Sequence, residues 1–132
     1  MDRRAEAIRT VPHGIVFVYD PTMVIDIPPD TGAGPVLATA NCVSVWTQHE
    51  VDGAVQLIVS ASDEDHGCSL VYEGTIASNG RRLAIHTSNC EAVVETDVEG
   101  VVTALRIYTN DPQSPTKVTC VVGPRHSCDA RP

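Results

Sequence analysis

Short apolar segments, each ended by turn residues, follow one another through most of this 132-residue chain. The first, residues 15–19, combines β-branched and aromatic residues and stops at Asp20-Pro21, as strands commonly do. In a later segment Val94, Thr96 and Val98 alternate with acidic residues, so we expect those three to face a core. No stretch has the length and period of a crossover helix, which argues against a parallel α/β sheet. The predicted strands span residues 15–19, 23–27, 42–47, 55–61, 69–77, 82–87, 92–98, 101–109 and 117–122.

Strands spaced at intervals of about 8–12 residues are typical of a β-sandwich or a β-barrel. The sequence therefore predicts an all-β fold, a single-domain antiparallel β-sandwich of about nine strands, with a barrel as the alternative. We place the sandwich at residues 13–122, an N-terminal arm at residues 1–12 and a flexible tail at residues 123–132. Within the arm, Asp2 to Arg9 is the one segment that resembles a short helix. Asp52-Gly53, between two apolar runs, predicts a β-hairpin.

Positive charge is absent from a long stretch of the sequence. Neither lysine nor arginine occurs between Arg9 and Arg81, and the formal net charge of the whole chain is −8. A negative field of this kind attracts a basic protein, whereas direct binding to nucleic acid or to an anionic membrane needs a positive face. We therefore predict a basic protein partner and no direct contact with nucleic acid or membrane. The carboxylates in this stretch are Asp20, Asp26, Asp30, Glu50, Asp52, Asp63, Glu64, Asp65 and Glu73.

The densest cluster of charge is the run Asp63-Glu64-Asp65, which precedes His66-Gly67. Consecutive carboxylates suit bidentate pairing with arginines of a partner. A solvated hairpin tip and a Ca²⁺ site are the alternatives, although the run lacks the glycine and the glutamate that an EF-hand loop requires. This run and the turn at residues 50–53 would close opposite ends of one strand, about 25 Å apart at the usual rise. The predicted partner contacts are Glu50, Asp52, Asp63, Glu64 and Asp65.

Two His-x-Cys pairs offer ligands for a metal ion. In an extended strand the ligands of His66-Gly67-Cys68 point to one face, and so do those of His126-Ser127-Cys128. Together they could form a tetrahedral Cys₂His₂ zinc site, but structural zinc sites usually use tighter Cys-x₂₋₄-Cys or His-x₃₋₅-His hooks. We therefore expect no metal and no other cofactor, and keep His66, Cys68, His126 and Cys128 as the alternative ligand set.

Catalytic motifs are missing from the sequence, which has no Gly-x-Ser-x-Gly elbow, no His-Glu-x-x-His and no glycine-rich phosphate loop. His86 lies on the strand face opposite Leu83 and Ile85 and is predicted to be a surface residue rather than a catalyst. We assign no catalytic residue and favour a binding module over an enzyme. The alternatives are a small metal-binding or hydrolytic β-domain that uses His and Cys, and a structural accessory or assembly domain. Exposed strand edges would let such a domain form homo-oligomers.

The cysteine count and the N-terminus bear on the cellular compartment. The chain has five cysteines, an odd number, and its first residues include charges but no apolar signal segment. A complete disulfide framework is therefore not expected, and most of the thiols should behave as small buried hydrophobes. We predict a cytoplasmic protein.

Several segments, taken in chain order, carry a family resemblance. They are His13-Gly14-Ile15-Val16-Phe17-Val18-Tyr19-Asp20, Val71-Tyr72-Glu73, Arg82-Leu83-Ala84-Ile85, Val98-Glu99-Gly100 and Leu105-Arg106-Ile107-Tyr108-Thr109. In this order they resemble the competence protein J family of small acidic all-β proteins, across residues 11–122. The chain departs from the family pattern around residues 36–50. A member of that bacterial family inhibits a DNA-entry nuclease by binding it, so the resemblance implies an immunity-type inhibitor of a nuclease or toxin.

Overall fold

The computed structural model describes residues 4–28, 36–61, 67–111 and 113–123, and these form two β-sheets. No helix among these residues has the length or the apolar character needed to cross a membrane. Two 3₁₀ turns, η1 (Pro12–Gly14) and η2 (Glu50–Asp52), lie before the second and fifth strands. The strands are β1 (Arg4–Arg9), β2 (Ile15–Tyr19), β3 (Val36–Ala38), β4 (Val43–Trp46), β5 (Val55–Ser60), β6 (Ser69–Ala77), β7 (Arg82–Thr87), β8 (Ala92–Asp97), β9 (Val102–Thr109) and β10 (Lys117–Val122).

Each sheet contains five strands. Their order is β1-β5-β10-β9-β6 in sheet A and β3-β4-β2-β7-β8 in sheet B. Sheet B is antiparallel throughout, whereas β5 and β10 run parallel, so sheet A is mixed. The predicted all-β sandwich is confirmed, with ten strands described in place of about nine.

Aliphatic side chains from both sheets fill the space between them. The alternation predicted in β8 is confirmed, because Val94 and Thr96 are buried while Glu95 and Asp97 are exposed. Each buried Leu, Ile or Val of this kind stabilises the fold by about 1.5–3 kcal/mol relative to an exposed one. The largest fully buried side chains are Leu57, Ile58, Ile76, Leu83, Ile85, Leu105, Ile107, Val11, Val16, Val18, Val43 and Val45.

Two predicted elements near the N-terminus are wrong. Arg4–Arg9, expected to be helical, is the edge strand β1, which pairs antiparallel with β5 and turns Ala5 and Ala7 toward the core. Residues 23–27 form no strand, because their recorded hydrogen bonds run to side chains and to the preceding turn instead of a neighbouring strand. Asn41 Oδ1 accepts from the Asp26 amide at 2.8 Å, and Thr39 Oγ1 donates to the Asp26 carbonyl at 2.6 Å.

The hairpin predicted at Asp52-Gly53 is also wrong, since β4 belongs to sheet B and β5 to sheet A. The chain crosses between the sheets there. The next connection is no hairpin either, because β5 and β6 are separated in sheet A by β10 and β9. A local turn signal was read correctly as a turn, but the strands on either side pair elsewhere.

The middle of sheet A is shielded on both faces. Ile58, Ser60, Thr119 and Val121 alternate with core residues and therefore point away from sheet B, yet each is fully buried. Arg106, also on the outer side, is 2% exposed and donates to the Gly123 carbonyl at 3.5 Å. The middle of sheet B is shielded on its outer side as well, where Ser44, Ala84 and His86 are at most 2% exposed, so the ends of the sandwich are the more accessible surfaces.

Candidate partner-binding site

The turn η2 presents two acidic side chains on either side of an apolar one. His49 caps the turn, with its Nδ1 accepting from the Val51 amide at 3.3 Å and its carbonyl accepting from the Asp52 amide at 2.9 Å. Glu50 and Asp52 are exposed, and Val51 is 81% exposed. An aliphatic side chain in water between two carboxylates is suited to contact with another protein.

Hydrogen bonds to two other loops hold η2 in place. The Thr47 amide donates to the Gly14 carbonyl at 2.8 Å, and the Gln48 amide donates to the Pro115 carbonyl at 2.9 Å. Gly14 has a φ of +66°, and a Cβ there would lie 3.1 Å from the Thr47 carbonyl oxygen, so a larger residue would strain this contact. The acidic turn is therefore fixed to the body of the sandwich before any partner arrives.

The loop that joins β9 and β10 brings a third carboxylate to the same end of the sandwich. Asp111 Oδ1 accepts from the amides of Gln113 at 2.8 Å and Ser114 at 2.9 Å. These two bonds lower the pKa of Asp111, with the Ser114 amide contributing most. The loop contacts the η2 region through Pro115 and through the Thr116 carbonyl, which accepts from Gln56.

Three carboxylates elsewhere in the described chain pair with arginines of the protein itself. Glu6 pairs with Arg4 at 2.6 Å, Glu91 pairs with Arg9 at 2.8 Å, and Glu95 pairs with Arg82. None of these three pairs, which are drawn from the described residues, involves the exposed side chains of Glu50 and Asp52.

The predicted acidic run Asp63-Glu64-Asp65 lies outside the described residues, as does His66. The residues that follow the run are described. Ser69, at the start of β6, pairs with Thr109 of β9, and Thr109 pairs with Val118 of β10. Val118 in turn lies beside the beginning of β5, the strand that follows η2. The start of β6 is therefore at the η2 end of sheet A, three strand positions or roughly 14 Å from β5.

The alternative zinc site is only partly described. Cys68 is half-buried, whereas His66, His126 and Cys128 lie outside the described residues. Among the residues that are described, no group of three or more His, Cys, Asp or Glu side chains could hold a metal ion. Burial raises the pKa of the Cys42 and Cys120 thiols to about 12, so both remain protonated and unreactive at neutral pH.

The surface position predicted for His86 is wrong, because its side chain is 2% exposed. The Tyr19 ring stacks on the imidazole with centroids 3.7 Å apart and planes 3° from parallel. Tyr19 pairs with the small residue Ala84, which leaves room for its ring to lean over His86. Burial lowers the pKa of His86, opposed in part by hydrogen bonds to the backbone of Phe17 and Ala84. The sequence did not predict this stack, because the alternation along a strand shows which face His86 occupies but not whether another side chain buries it.

Removing the Tyr19 ring should expose His86 to water. In Tyr19→Ala we expect the pKa of His86 to rise toward about 6.5, its ordinary value, because desolvation is the main cause of the depression. Histidine chemical shifts followed by NMR between pH 4 and pH 8 would measure the change. Tyr108→Ala, a half-buried tyrosine on the other sheet, is the control. An unchanged His86 pKa in Tyr19→Ala would show that the stack does not cause the shift.

Comparison with known proteins finds similarity in fold. No protein-family model matches the sequence, and no curated protein matches it in sequence. The chain superposes on ComJ from Bacillus subtilis, an inhibitor of the DNA-degrading activity of NucA, with a TM-score of 0.63 and 8% identity, covering 93% of this chain and 98% of ComJ. It also superposes on the protein described as crocagin biosynthetic gene J, with a TM-score of 0.57 and 11% identity, covering 94% and 98% of the two chains. The resemblance to the competence protein J family is thus confirmed at the level of the fold.

Proposed function

We propose that this protein is an inhibitor that binds a basic nuclease through the η2 end of the sandwich. The observation that carries the proposal is the pair of exposed carboxylates, Glu50 and Asp52, on a rigid turn in a fold similar to that of a nuclease inhibitor. Asp111 adds negative charge at the same end. The acidic run at residues 63–65 remains part of the proposal on sequence grounds alone.

The physical basis is competition for a positive surface. A nuclease that binds DNA presents basic side chains to the phosphates. Carboxylates fixed on a rigid turn can pair with the same side chains, and a net charge of −8 steers the two proteins together. Between the carboxylates, the exposed side chain of Val51 supplies an apolar surface that a bound partner would remove from water.

The experiment that tests this proposal captures binding partners and then assays their nuclease activity. The immobilised protein would be used to enrich partners from a lysate of the organism that encodes it, and each enriched protein would be purified and tested for degradation of linear DNA. We expect a basic DNA-degrading protein whose activity falls in proportion to added inhibitor, reaching its minimum at a fixed stoichiometry.

The control is a variant with Glu50→Lys and Asp52→Lys, which should neither enrich the nuclease nor inhibit it to the same degree. Enrichment of partners that have no nuclease activity, or a nuclease that binds but degrades DNA at an unchanged rate, would contradict the proposed function.

A further inference from the structure

The side chain of His49 takes part in folding the acidic turn η2. Its Nδ1 accepts from the Val51 amide at 3.3 Å, and its carbonyl accepts from the Asp52 amide at 2.9 Å. The imidazole thereby serves as the N-cap of the turn. Because the turn has only three residues, Glu50–Asp52, each of these bonds helps to fix the direction of its two carboxylates.

Histidine differs from the usual N-cap residues in its response to acid. Those residues are Asn, Asp, Ser and Thr, whose side-chain oxygens remain acceptors at neutral and mildly acidic pH. An imidazole nitrogen accepts a hydrogen bond only while the ring is neutral, because both nitrogens of the protonated ring carry hydrogen. The bond from the Val51 amide therefore requires a neutral His49 ring with its proton on Nε2.

Negative charge predominates on the elements around this imidazole. Asp111 stays ionised, since hydrogen bonds from the Ser114 and Gln113 amides lower its pKa. Arg9, beside the start of β5, pairs with Glu91 at 2.8 Å. A proton on His49 would therefore add a positive charge to a predominantly acidic end of the sandwich. The described titratable and charged groups on these elements are Glu50 and Asp52 of η2, His13 of η1, Asp111 of the β9–β10 loop, Arg9, Glu91, and Lys117 at the start of β10.

We propose that His49 is a positioning residue for the acidic turn and that its protonation releases the basic partner. The neutral ring holds the Val51 amide and leaves the carboxylates to meet cations. The protonated ring loses that bond and turns a positive charge toward the partner's own cations. Histidine side chains change charge between about pH 5 and pH 8. Affinity should therefore be highest above this range and fall as the pH falls through it. This inference rests on the proposed function and adds control by pH to the same site.

A second side-chain bond closes the base of the turn but does not titrate. Gln48 Nε2 donates to the Ala54 carbonyl at 3.1 Å. A Cβ at Gly53 would lie 3.0 Å from this Nε2, so the Gln48 side chain packs closely against the turn. An amide is neutral throughout the range in which histidine titrates. Gln48→Ala is therefore the matched control, because it loosens the same turn without adding a change of charge.

The test measures binding of an octa-arginine peptide by isothermal titration calorimetry at low salt, at pH 8 and at pH 5.5. Guanidinium groups keep their charge at both values, so any pH dependence belongs to the protein. Wild-type protein should bind about five- to tenfold more weakly at pH 5.5, through the lost cap and the added like charge. His49→Asn, which keeps an acceptor for the Val51 amide, should match wild type at pH 8 and lose little affinity at pH 5.5.

Two further variants separate the role of His49 from general effects. His13→Asn removes the imidazole of η1, and asparagine tolerates the positive φ of 62° at that position. It should keep the wild-type ratio of affinities at the two pH values. Gln48→Ala should bind more weakly at both pH values, again with the wild-type ratio.

A measurement on the wild-type protein needs no substitution. In an NMR titration, the Val51 amide signal should shift with the same midpoint as the His49 ring, because protonation breaks the bond between them. Circular dichroism melting would identify a variant that fails to fold, in which case this titration and the wild-type binding ratio decide.

The outcomes distinguish this inference from the function on which it rests. If wild-type protein binds octa-arginine equally at both pH values, or if His49→Asn keeps the full decrease, the role of His49 is overturned and the acidic site stands. A Val51 amide that does not follow the His49 ring has the same consequence. If the wild-type protein binds no octa-arginine at either pH, the proposed function and this inference are both overturned.

Discussion

Replacing Asp20 by alanine is expected to lower the free energy of unfolding by about 3 kcal/mol, because it removes the buried acceptor of three hydrogen bonds. The carboxylate is fully buried at the end of β2. Its Oδ1 accepts from the Thr22 amide at 2.8 Å and the Thr22 hydroxyl at 2.7 Å, and its Oδ2 accepts from the Gly80 amide at 2.7 Å. Asp20 thereby ties one strand of sheet B to the turn where the chain passes from sheet A to sheet B.

Urea unfolding monitored by circular dichroism would measure the loss. Asp26→Ala is the control, since Asp26 is an exposed carboxylate on the same connection and its recorded hydrogen bonds involve its backbone. We expect its unfolding free energy to stay within about 0.5 kcal/mol of wild type. Equal losses in the two variants would contradict the role given to Asp20.

The contact between the end of β2 and this turn also requires Gly80 to lie close to Thr22. A Cβ at this position would lie 1.9 Å from the Thr22 hydroxyl, so Gly80→Ala has to displace the side chain that donates to Asp20. Gly100→Ala is a fair comparison, because its Cβ would make only an ordinary contact at 3.4 Å. Gly80→Ala should therefore destabilise the protein by about 1–3 kcal/mol and Gly100→Ala by less.

Acid provides an independent measure of the Asp20 carboxylate. Burial alone would raise its pKa, but the hydrogen bonds from Thr22, Gly80 and Arg82 outweigh burial and lower it. A carboxyl whose folded pKa lies below its unfolded value of about 3.9 stabilises the fold above that value. This contribution is lost as the pH falls through the folded pKa. Wild-type protein should therefore lose more unfolding free energy between pH 7 and pH 3 than Asp20→Asn does.

The sequence reveals which face of a sheet a side chain points to, but not which strand pairs with the strand that carries it. Alternation placed Val94 and Thr96 in the core correctly, because the direction of side chains along a strand is a local property. Strand partners are set by contacts distant in sequence. Asp52-Gly53 has the composition of a hairpin turn, yet the flanking strands belong to different sheets. The segment Arg4–Arg9 is rich in residues that favour helices, and only its pairing with β5 makes it a strand.

The candidate site was likewise predictable in part. The charge pattern alone selected Glu50 and Asp52, which the structure places on an exposed turn. Their support by Gly14 and Pro115 depends on two distant loops and has no signature in the sequence.

Reversing the charge of Glu50 and Asp52 together should weaken the complex with the captured nuclease about 100-fold at low salt. In the variant, lysines replace carboxylates that pair with cations of the partner. Like charges then face one another across the interface, which costs several kcal/mol. Because the Debye length falls from about 10 Å at 0.1 M salt to about 3 Å at 1 M, the difference between variant and wild type should shrink as salt is added. Surface plasmon resonance at several salt concentrations would measure both effects.

A control variant has to distinguish the effect of the protein's net charge from the effect of where the substituted charges lie. Glu6→Lys with Glu73→Lys changes the net charge by the same amount on the outer side of sheet A, and it should weaken binding far less. Asp63→Lys with Asp65→Lys tests the acidic run predicted from sequence as a separate arm. If the sheet A pair and the η2 pair weaken binding equally, the effect is one of overall charge and the η2 end is not the contact. If only the η2 pair acts, with its loss mainly in the association rate at low salt, the turn is where the basic partner first meets the inhibitor.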